Sequence, residues 1–216
     1  MIKKYPKILH LPWSKGLTKD DARIKSLDAF ENREVVVTEK MDGENCNLHK
    51  DVFHARSVDS RDHLSRHWAK NLWYQIKYKL DDLRICGENV YAQHSIAYDG
   101  LSSYFLMFGA MRENMYLSWD TVVELAEKLD LFTVPVLYRG TWDPESIKVY
   151  CTGTSYFGTS EQEGYVVRLA DEFSLDDFDK SIAKFVRAGH VQTDDHWMHR
   201  KIVKNKLRKR IKKSLF

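Results

Sequence analysis

The sequence is poor in the features that hold a chain together from outside its core. Its 216 residues include three cysteines, Cys46, Cys86 and Cys151, odd in number, far apart and without a Cys-x-x-Cys pair. That excludes a disulfide framework and a zinc ribbon, and a reduced, cytoplasmic setting is expected. No long apolar run follows Met1-Ile2-Lys3-Lys4-Tyr5-Pro6, so neither a signal peptide nor a membrane span is expected. Internal repeats and low-complexity segments are absent. So are a Walker phosphate loop and a Gly-x-Gly-x-x-Gly after a strand, which removes the P-loop and Rossmann routes to nucleotide binding. A chain this long buries roughly 70% of its unfolded surface and needs no staples. Its 43% hydrophobic and 12% aromatic content is that of a globular domain.

What is present is unevenly charged. Arg200, Lys201, Lys204, Lys206, Arg208, Lys209, Arg210, Lys212 and Lys213 are nine of the 34 basic residues, with no acid among them. The rest of the chain then holds 25 basic against 31 acidic residues. An acidic body with a basic tail points to a polyanionic partner, or else to nothing more than a solvated helix end.

The hydrophobic pattern predicts an α+β fold with a largely antiparallel sheet. Short helices are expected over 18–31, with Ile24, Leu27 and Phe30 inward, and over 62–80, with a stripe of Leu64, Trp68, Leu72, Ile76 and Leu80. A third, capped by Ser118, carries Val122, Leu125, Ala126 and Leu129. Strands are expected over 34–40, 84–91, 104–111, 163–168 and 182–187, with extended chain over 46–57, a short strand start at Val134 and a Gly/Ser/Thr loop over 151–162. Strands outnumber helices and show no regular βαβ alternation. His63 and His67 share helical spacing, but no third ligand is evident and they read as surface or cap residues.

The stretch that organises the rest is Glu39-Lys40-Met41-Asp42-Gly43-Glu44-Asn45. Val35-Val36-Val37-Thr38 delivers Lys40 to the end of a buried strand, and Asp42-Gly43 reads as a turn. Two readings are open: a hairpin with a solvated lysine, or a lysine nucleophile held rigidly and made reactive by its surroundings.

Four further segments follow in order: Ala55-Arg56-Ser57, Gly87-Glu88-Asn89 with Phe108, Glu163-Gly164-Tyr165-Val166-Val167, and Ala183-Lys184-Phe185. With the Lys40 motif they resemble the covalent nucleotidyltransferase superfamily of polynucleotide ligases and mRNA capping enzymes. The nearest resemblance is to the ATP-dependent RNA-ligase branch, which includes phage RNA-repair and RNA-editing ligases. The resemblance implies an antiparallel-sheet, ATP-grasp-like adenylation domain in which Lys40 forms a lysyl-AMP intermediate. It implies nucleotide contacts from Glu39, Asn45, Arg56, Glu88, Phe108 and Lys184, with Glu88 on the ribose, Phe108 on the purine and Lys184 on the α-phosphate. It places Glu163 on a Mg²⁺ or Mn²⁺ ion, and a cation beside Lys40 is expected to lower that lysine's pKa. Phe108 also reads as plain core, and Arg56 as an ordinary salt bridge. Two departures stand out. Gly109 occupies a position where relatives often carry an acid, and Arg187 follows Lys184 where a second, alternating lysine is usual.

Residues 1–189 are expected to form this domain and 190–216 a short basic helical extension, begun near Asp194 and stepped by Val203, Leu207 and Ile211. Arg187 at the end of the domain and Arg200, Lys201, Lys204 and Arg208 in the extension are the candidate nucleic-acid contacts. His190, His196 and His199 around Trp197 read as a zinc site or as a grip on a nucleic-acid end. Only some thirty residues follow Arg187, too few for the oligonucleotide-binding barrel of DNA ligases and capping enzymes. The expected function is therefore joining of 3′-OH and 5′-phosphate ends in RNA repair, by a monomer, with RNA ends or a nicked duplex as partner. The alternatives are a nick-sealing DNA ligase, a GTP-using capping-type transferase and an inactive nucleic-acid-binding module.

Overall fold

A computed structural model describes residues 2–189 and 201–208. The element order is β1 (Leu9–His10), β2 (Glu34–Glu39), β3 (Glu44–Leu48), β4 (Phe53–Ala55), α1 (His67–Ile76), β5 (Leu83–Asn89), β6 (Phe105–Arg112) and β7 (Met115–Tyr116). There follow α2 (Trp119–Leu129), β8 (Phe132–Thr133), β9 (Val136–Thr141), α3 (Pro144–Tyr150), β10 (Gly164–Leu169), β11 (Phe173–Ser174), α4 (Phe178–Ser181) and β12 (Ile182–Val186).

Two sheets carry the fold. One runs β1-β12-β10-β2-β9, the other β11-β7-β6-β5-β3-β4 with β8 against β6. Every pairing is antiparallel except β1 with β12 and β6 with β8. The expected α+β, largely antiparallel architecture is what forms. The triple valine of β2 makes it central, because β-branched side chains suit a strand covered on both faces. Val35 and Val37 enter one apolar cluster and Val36 the other, all three fully buried. The passage 40–43 carries the chain from the first sheet into the second, so Lys40 stands where the two meet.

The helices depart from the sequence pattern in instructive ways. Ser118 caps α2, its Oγ accepting from the Thr121 N–H, and Val122, Ala126 and Leu129 are buried as expected. The 62–80 stretch is α1 flanked by 3₁₀ turns at Leu64–Arg66 and Lys77–Lys79, the first capped by His63. Leu64 is 66% exposed, so the apolar stripe begins at Trp68 and not at Leu64. No helix forms over 18–31. Ile24 N–H bonds to the His10 carbonyl and His10 N–H to the Ala22 carbonyl, a strand-like pairing that takes the groups a helix would have used.

The basic tail is corrected likewise. Residues 201–208 are extended, bridging Ala92 at Lys204 and Leu101 at Leu207. Val203 and Leu207, placed by the helical pattern on a buried seam, are 56% and 39% exposed, whereas Asn205 is 3% exposed. Asn205 Oδ1 accepts from Tyr98 N–H at 2.9 Å and its Nδ2 donates to the Val90 carbonyl at 2.9 Å. A buried amide that meets both polar needs of a neighbouring loop outweighs two exposable aliphatics. Arg200, Ile211 and the 190–199 histidine cluster lie outside the described residues. Asn205→Ala is expected to strand both loop groups and cost about 2 kcal/mol or more. Thermal unfolding checks this, and an unchanged Tm would show that the strap does not hold the loop. No helix among the described residues is long and apolar enough to cross a membrane.

Candidate active site

A cleft of about 630 Å³ opens between the sheets. The first sheet lends it Thr38 and Glu39 from β2, Val166 and Arg168 from β10, and Ile182 and Lys184 from β12; the second lends Asn45, Glu88, Phe108 and Tyr116. Lys40 lies on its wall, with Arg56 from the chain after β4. Seven sequence-predicted residues thus converge on one cavity: Glu39, Lys40, Asn45, Arg56, Glu88, Phe108 and Lys184.

Lys40 is held at both ends. Its backbone N–H donates to the Gly164 carbonyl at 2.9 Å, and its Nζ donates to Glu163 Oε2 at 2.7 Å. Lys40 is about a quarter exposed in its side chain and Glu163 almost buried. Glycine follows Glu163 for a steric reason. A Cβ at Gly164 would fall 2.0 Å from the Phe185 carbonyl oxygen, so only glycine lets β10 start this close to β12.

Glu39 is buried and spends both oxygens on the 151–162 loop, accepting from Ser155 Oγ at 2.5 Å and Tyr156 N–H at 2.9 Å. Burial raises its pKa against those two bonds. Asp42 accepts from the Ser95 and Ile96 N–H groups, both at 2.7 Å, tying the lysine loop to the loop that Asn205 holds. Asn45 faces Glu88 across the β3–β5 pairing and accepts from Asn47 Nδ2.

The electrostatics place a proton on Lys40. Burial alone would lower its pKa, but the Glu163 and Glu88 carboxylates outweigh burial and the net direction is up. The expectation that a cation depresses Lys40 is therefore corrected for the unliganded protein. Lys184 instead takes the downward shift, from burial first and Lys40 second. Asp21 stands 3.7 Å from Lys184. Burial pushes Glu88 up to about 8, with Lys40 opposing and Glu163 adding to the rise. A carboxyl raised on folding holds its proton more tightly folded than unfolded, so its contribution to stability falls as pH rises toward 8. Glu88→Gln removes that term. Its stability relative to the parent is expected to improve as pH rises from 5 to 8, by at most about 1.4 kcal/mol per pH unit. Denaturant titrations at both pH values check this; a pH-independent difference would contradict it.

Among the described residues no three His, Cys, Asp or Glu side chains converge as a metal cage. The donor set is one that Mg²⁺ or Mn²⁺ accepts nonetheless. Glu163, nearly buried and 2.7 Å from Lys40, is an oxygen donor of the kind such an ion takes, with water and phosphate as its remaining ligands.

Arg187 is not in the cleft. Its Nε donates to the Gln162 carbonyl at 3.0 Å and its N–H to the Glu163 carbonyl at 3.0 Å, which braces the loop that carries Glu163. Lys201, Lys204 and Arg208 are exposed on the strap, with Lys204 Nζ 5.0 Å from the Tyr104 ring centroid. Sequence reasoning passed over Tyr5, Arg66, Tyr116 and Arg168, which also line the cleft. Arg66 pairs with Glu44 in a fork of 2.7 and 2.5 Å. Arg168 was findable: an arginine two residues after Val166 in a buried strand shares Val166's face, and a buried charge marks a site.

The comparisons with known proteins agree with this geometry. The RNA ligase family model matches residues 33–186, and the chain belongs to that family. Among solved structures it is similar to Naegleria gruberi RNA ligase with PPi, at 18% identity and TM-score 0.59 over 88% of this chain and 59% of that one. A mutant of that ligase with ATP and Mn gives 16% identity and TM-score 0.57 over 86% and 62%. An apo mutant gives 16% and 0.57 over 88% and 58%. The chain thus spans about three fifths of those relatives' length, and the likeness is one of fold. No curated protein matches.

Proposed function

We propose that this chain is the catalytic domain of an ATP-dependent RNA ligase that works through a lysyl-AMP intermediate. The observation that carries the reading is the Lys40 amine, 2.7 Å from Glu163 on the wall of a nucleotide-sized cleft, in a chain of the RNA ligase family. Relatives of this fold have been solved with ATP and Mn, and with PPi, which are the substrate, a metal and the by-product such a step requires.

In the proposed first step Lys40 Nζ bonds to the α-phosphorus of ATP as the bond to the β-phosphate breaks and pyrophosphate leaves. Lys40 must first pass its proton to the Glu163 carboxylate 2.7 Å away, or to the water that reaches its partly exposed amine. Glu163 and Glu88 favour the protonated amine in the free protein; Glu163 is the residue that would hold a divalent cation, whose charge would oppose that of the carboxylate. When bound, Mg²⁺ or Mn²⁺ would also neutralise charge at the phosphates. Lys184, already below its ordinary pKa, faces Lys40 and suits the α-phosphate. Phe108, half-buried, offers a ring to the base. Glu88 and Asn45, adjacent across two strands, suit the ribose hydroxyls.

The later steps are those that the family resemblance implies. AMP passes to a 5′-phosphate end, a 3′-hydroxyl attacks that end, and AMP leaves. RNA ends or a nicked duplex are the proposed partners, met by Arg56 at the cleft and by the basic strap, and RNA repair is the proposed role. The test is sealing of nicked duplexes that differ in the strand bearing the 3′-hydroxyl. RNA there is expected to be sealed and DNA not. Equal sealing of DNA would move the reading to a nick-sealing DNA ligase, and turnover of GTP in place of ATP to a capping-type transferase.

A further inference from the structure

The family match begins at residue 33, yet the chain before it builds part of the cleft: Tyr5, Pro6, Lys7 and Ile8 are on its wall. β1 fastens this segment beside Lys184, with Leu9 and His10 paired in parallel to Ala183 and Lys184. Leu11 N–H donates to the Lys184 carbonyl at 2.7 Å, and the Lys15 and Gly16 N–H groups donate to the Val186 carbonyl at 3.1 and 2.8 Å. The chain then turns back at Thr18, whose N–H and Oγ1 both donate to Asp21 Oδ2, at 3.1 and 2.8 Å. Those bonds fix the Asp21 carboxylate. Its other oxygen faces two ammonium groups, Lys7 Nζ at 3.3 Å and Lys184 Nζ at 3.7 Å. Lys7 Nζ also donates to the Asp20 carbonyl. Burial first, and the Lys184 charge second, lower the pKa of His10, 3.5 Å from Asp21, to about 4, so at neutral pH it adds no charge.

One carboxylate does not cancel two ammoniums, and like charges this close repel. A ligand carrying several negative charges relieves that repulsion, and a triphosphate is such a ligand. Lys40 as nucleophile and Lys184 beside it serve the α-phosphate, so the phosphates beyond it need another cation. The basic side chains that line the cleft are Lys7, Lys40, Arg56, Arg66, Arg168 and Lys184. Arg66 is committed to Glu44, and Arg168 to the Leu117 and Leu169 carbonyls. Of Lys7 and Arg56, Lys7 is the one that shares a carboxylate oxygen with Lys184.

We propose that Lys7 binds the β- and γ-phosphates of ATP and stabilises the pyrophosphate as it leaves. While the bond from Lys40 Nζ to the α-phosphorus forms, the bond from that phosphorus to the bridging oxygen breaks. Its electron pair stays on the oxygen, which departs as part of pyrophosphate. The Lys7 ammonium meets the charge that grows there. Asp21 holds Lys7 and Lys184 side by side until the phosphates take its place. The proposal rests on the reading of the cleft as an ATP site and adds to it a residue from outside the family match.

The test separates steps that involve pyrophosphate from one that does not. Lysyl-AMP formation from ATP is followed by intact mass, release of AMP from the adduct is titrated with pyrophosphate, and sealing of RNA that already bears a 5′-adenylate is the step without it. In Lys7→Met, kcat/KM for lysyl-AMP formation is expected to fall about 10- to 100-fold, the size of one charge-assisted contact. The pyrophosphate concentration that releases half the adduct is expected to rise by a similar factor, whereas sealing should stay within about twofold of the parent. Lys7→Arg keeps the charge and is expected to recover adduct formation to within about fivefold of the parent. The Lys7 side chain is 37% exposed, so both variants should fold, which circular dichroism checks. Adduct formation by folded Lys7→Met within about twofold of the parent overturns the proposal. So does a loss that falls equally on sealing, which would give Lys7 to the RNA or to the fold at large. Should the parent not seal such RNA, the pyrophosphate titration decides. No adduct in the parent would remove the ATP reading and this proposal together, whereas an adduct formed equally well without Lys7 removes the proposal only.

Discussion

Lys40→Ala is expected to abolish covalent nucleotide transfer to the protein, a loss of at least about 10³-fold, while leaving the chain folded. The size follows from the chemistry. A covalent step has no substitute once its nucleophile is removed, whereas neighbours that position or polarise cost less. The fold should survive because Lys40 is a quarter exposed and its backbone bond to Gly164 does not need the side chain. What changes locally is the charge around Glu163, whose carboxylate loses its 2.7 Å ammonium partner. Stability is expected to fall by about 1–3 kcal/mol. Intact-protein mass after incubation with ATP and Mg²⁺ reads the first effect, and circular dichroism reads the second. Adduct on a folded Lys40→Ala protein would remove Lys40 from the mechanism.

Glu163→Gln carries the second largest expected effect, a drop of about 10²–10³-fold in the rate of adduct formation, as for loss of one preorganised electrostatic partner. The amide keeps the shape and can still accept from Lys40, so binding of nucleotide should suffer less than the rate. A second readout separates an electrostatic role from a structural one. Glu163 is the foremost of the carboxylates that hold Lys40 above its ordinary pKa, acting against burial. With it neutralised, Lys40 is expected to titrate at lower pH than in the parent protein. The pH dependence of Lys40 modification by an amine-reactive reagent, without nucleotide or metal, measures this. A profile that stays where it was, or moves to higher pH, contradicts the charge balance described for the cleft.

How much of this could be read from the chain depends on how local the physics is. β2 and the end of the strand at Lys40 were legible because three valines can hardly form anything but a buried strand; Glu163-Gly164 was legible through the motif it resembles, and the structure adds the backbone contact that requires the glycine. The Ser118 cap is a one-turn interaction and was legible for the same reason. The convergence of Lys40, Glu88 and Lys184 came through resemblance, since residues so far apart carry no local trace of their meeting.

The misses are tertiary. Residues 18–31 have the spacing of a helix, yet His10 claims their backbone. The tail has a helical seam at Val203 and Leu207, yet Asn205 answers buried loop groups that no pattern of apolar residues reveals. α3 is different, because it was readable and overlooked. Asp143 caps it, accepting from the Glu145 and Ser146 N–H groups, with Pro144 at the first helical position. The pKa of Lys40 was misjudged because the sequence shows which charges exist but not their distances. Lys184 was weighed and the opposing pull of the Glu163 and Glu88 carboxylates was not.

The most direct measurement on the central claim is to incubate the purified protein with α-labelled ATP and Mg²⁺ or Mn²⁺, denature it, and locate the label by peptide mass spectrometry. The account predicts an acid-labile nucleotide on Lys40, removed by added pyrophosphate. A folded protein, free of prior adduct by intact mass, that takes no label from ATP would contradict it, as would label on any residue other than Lys40.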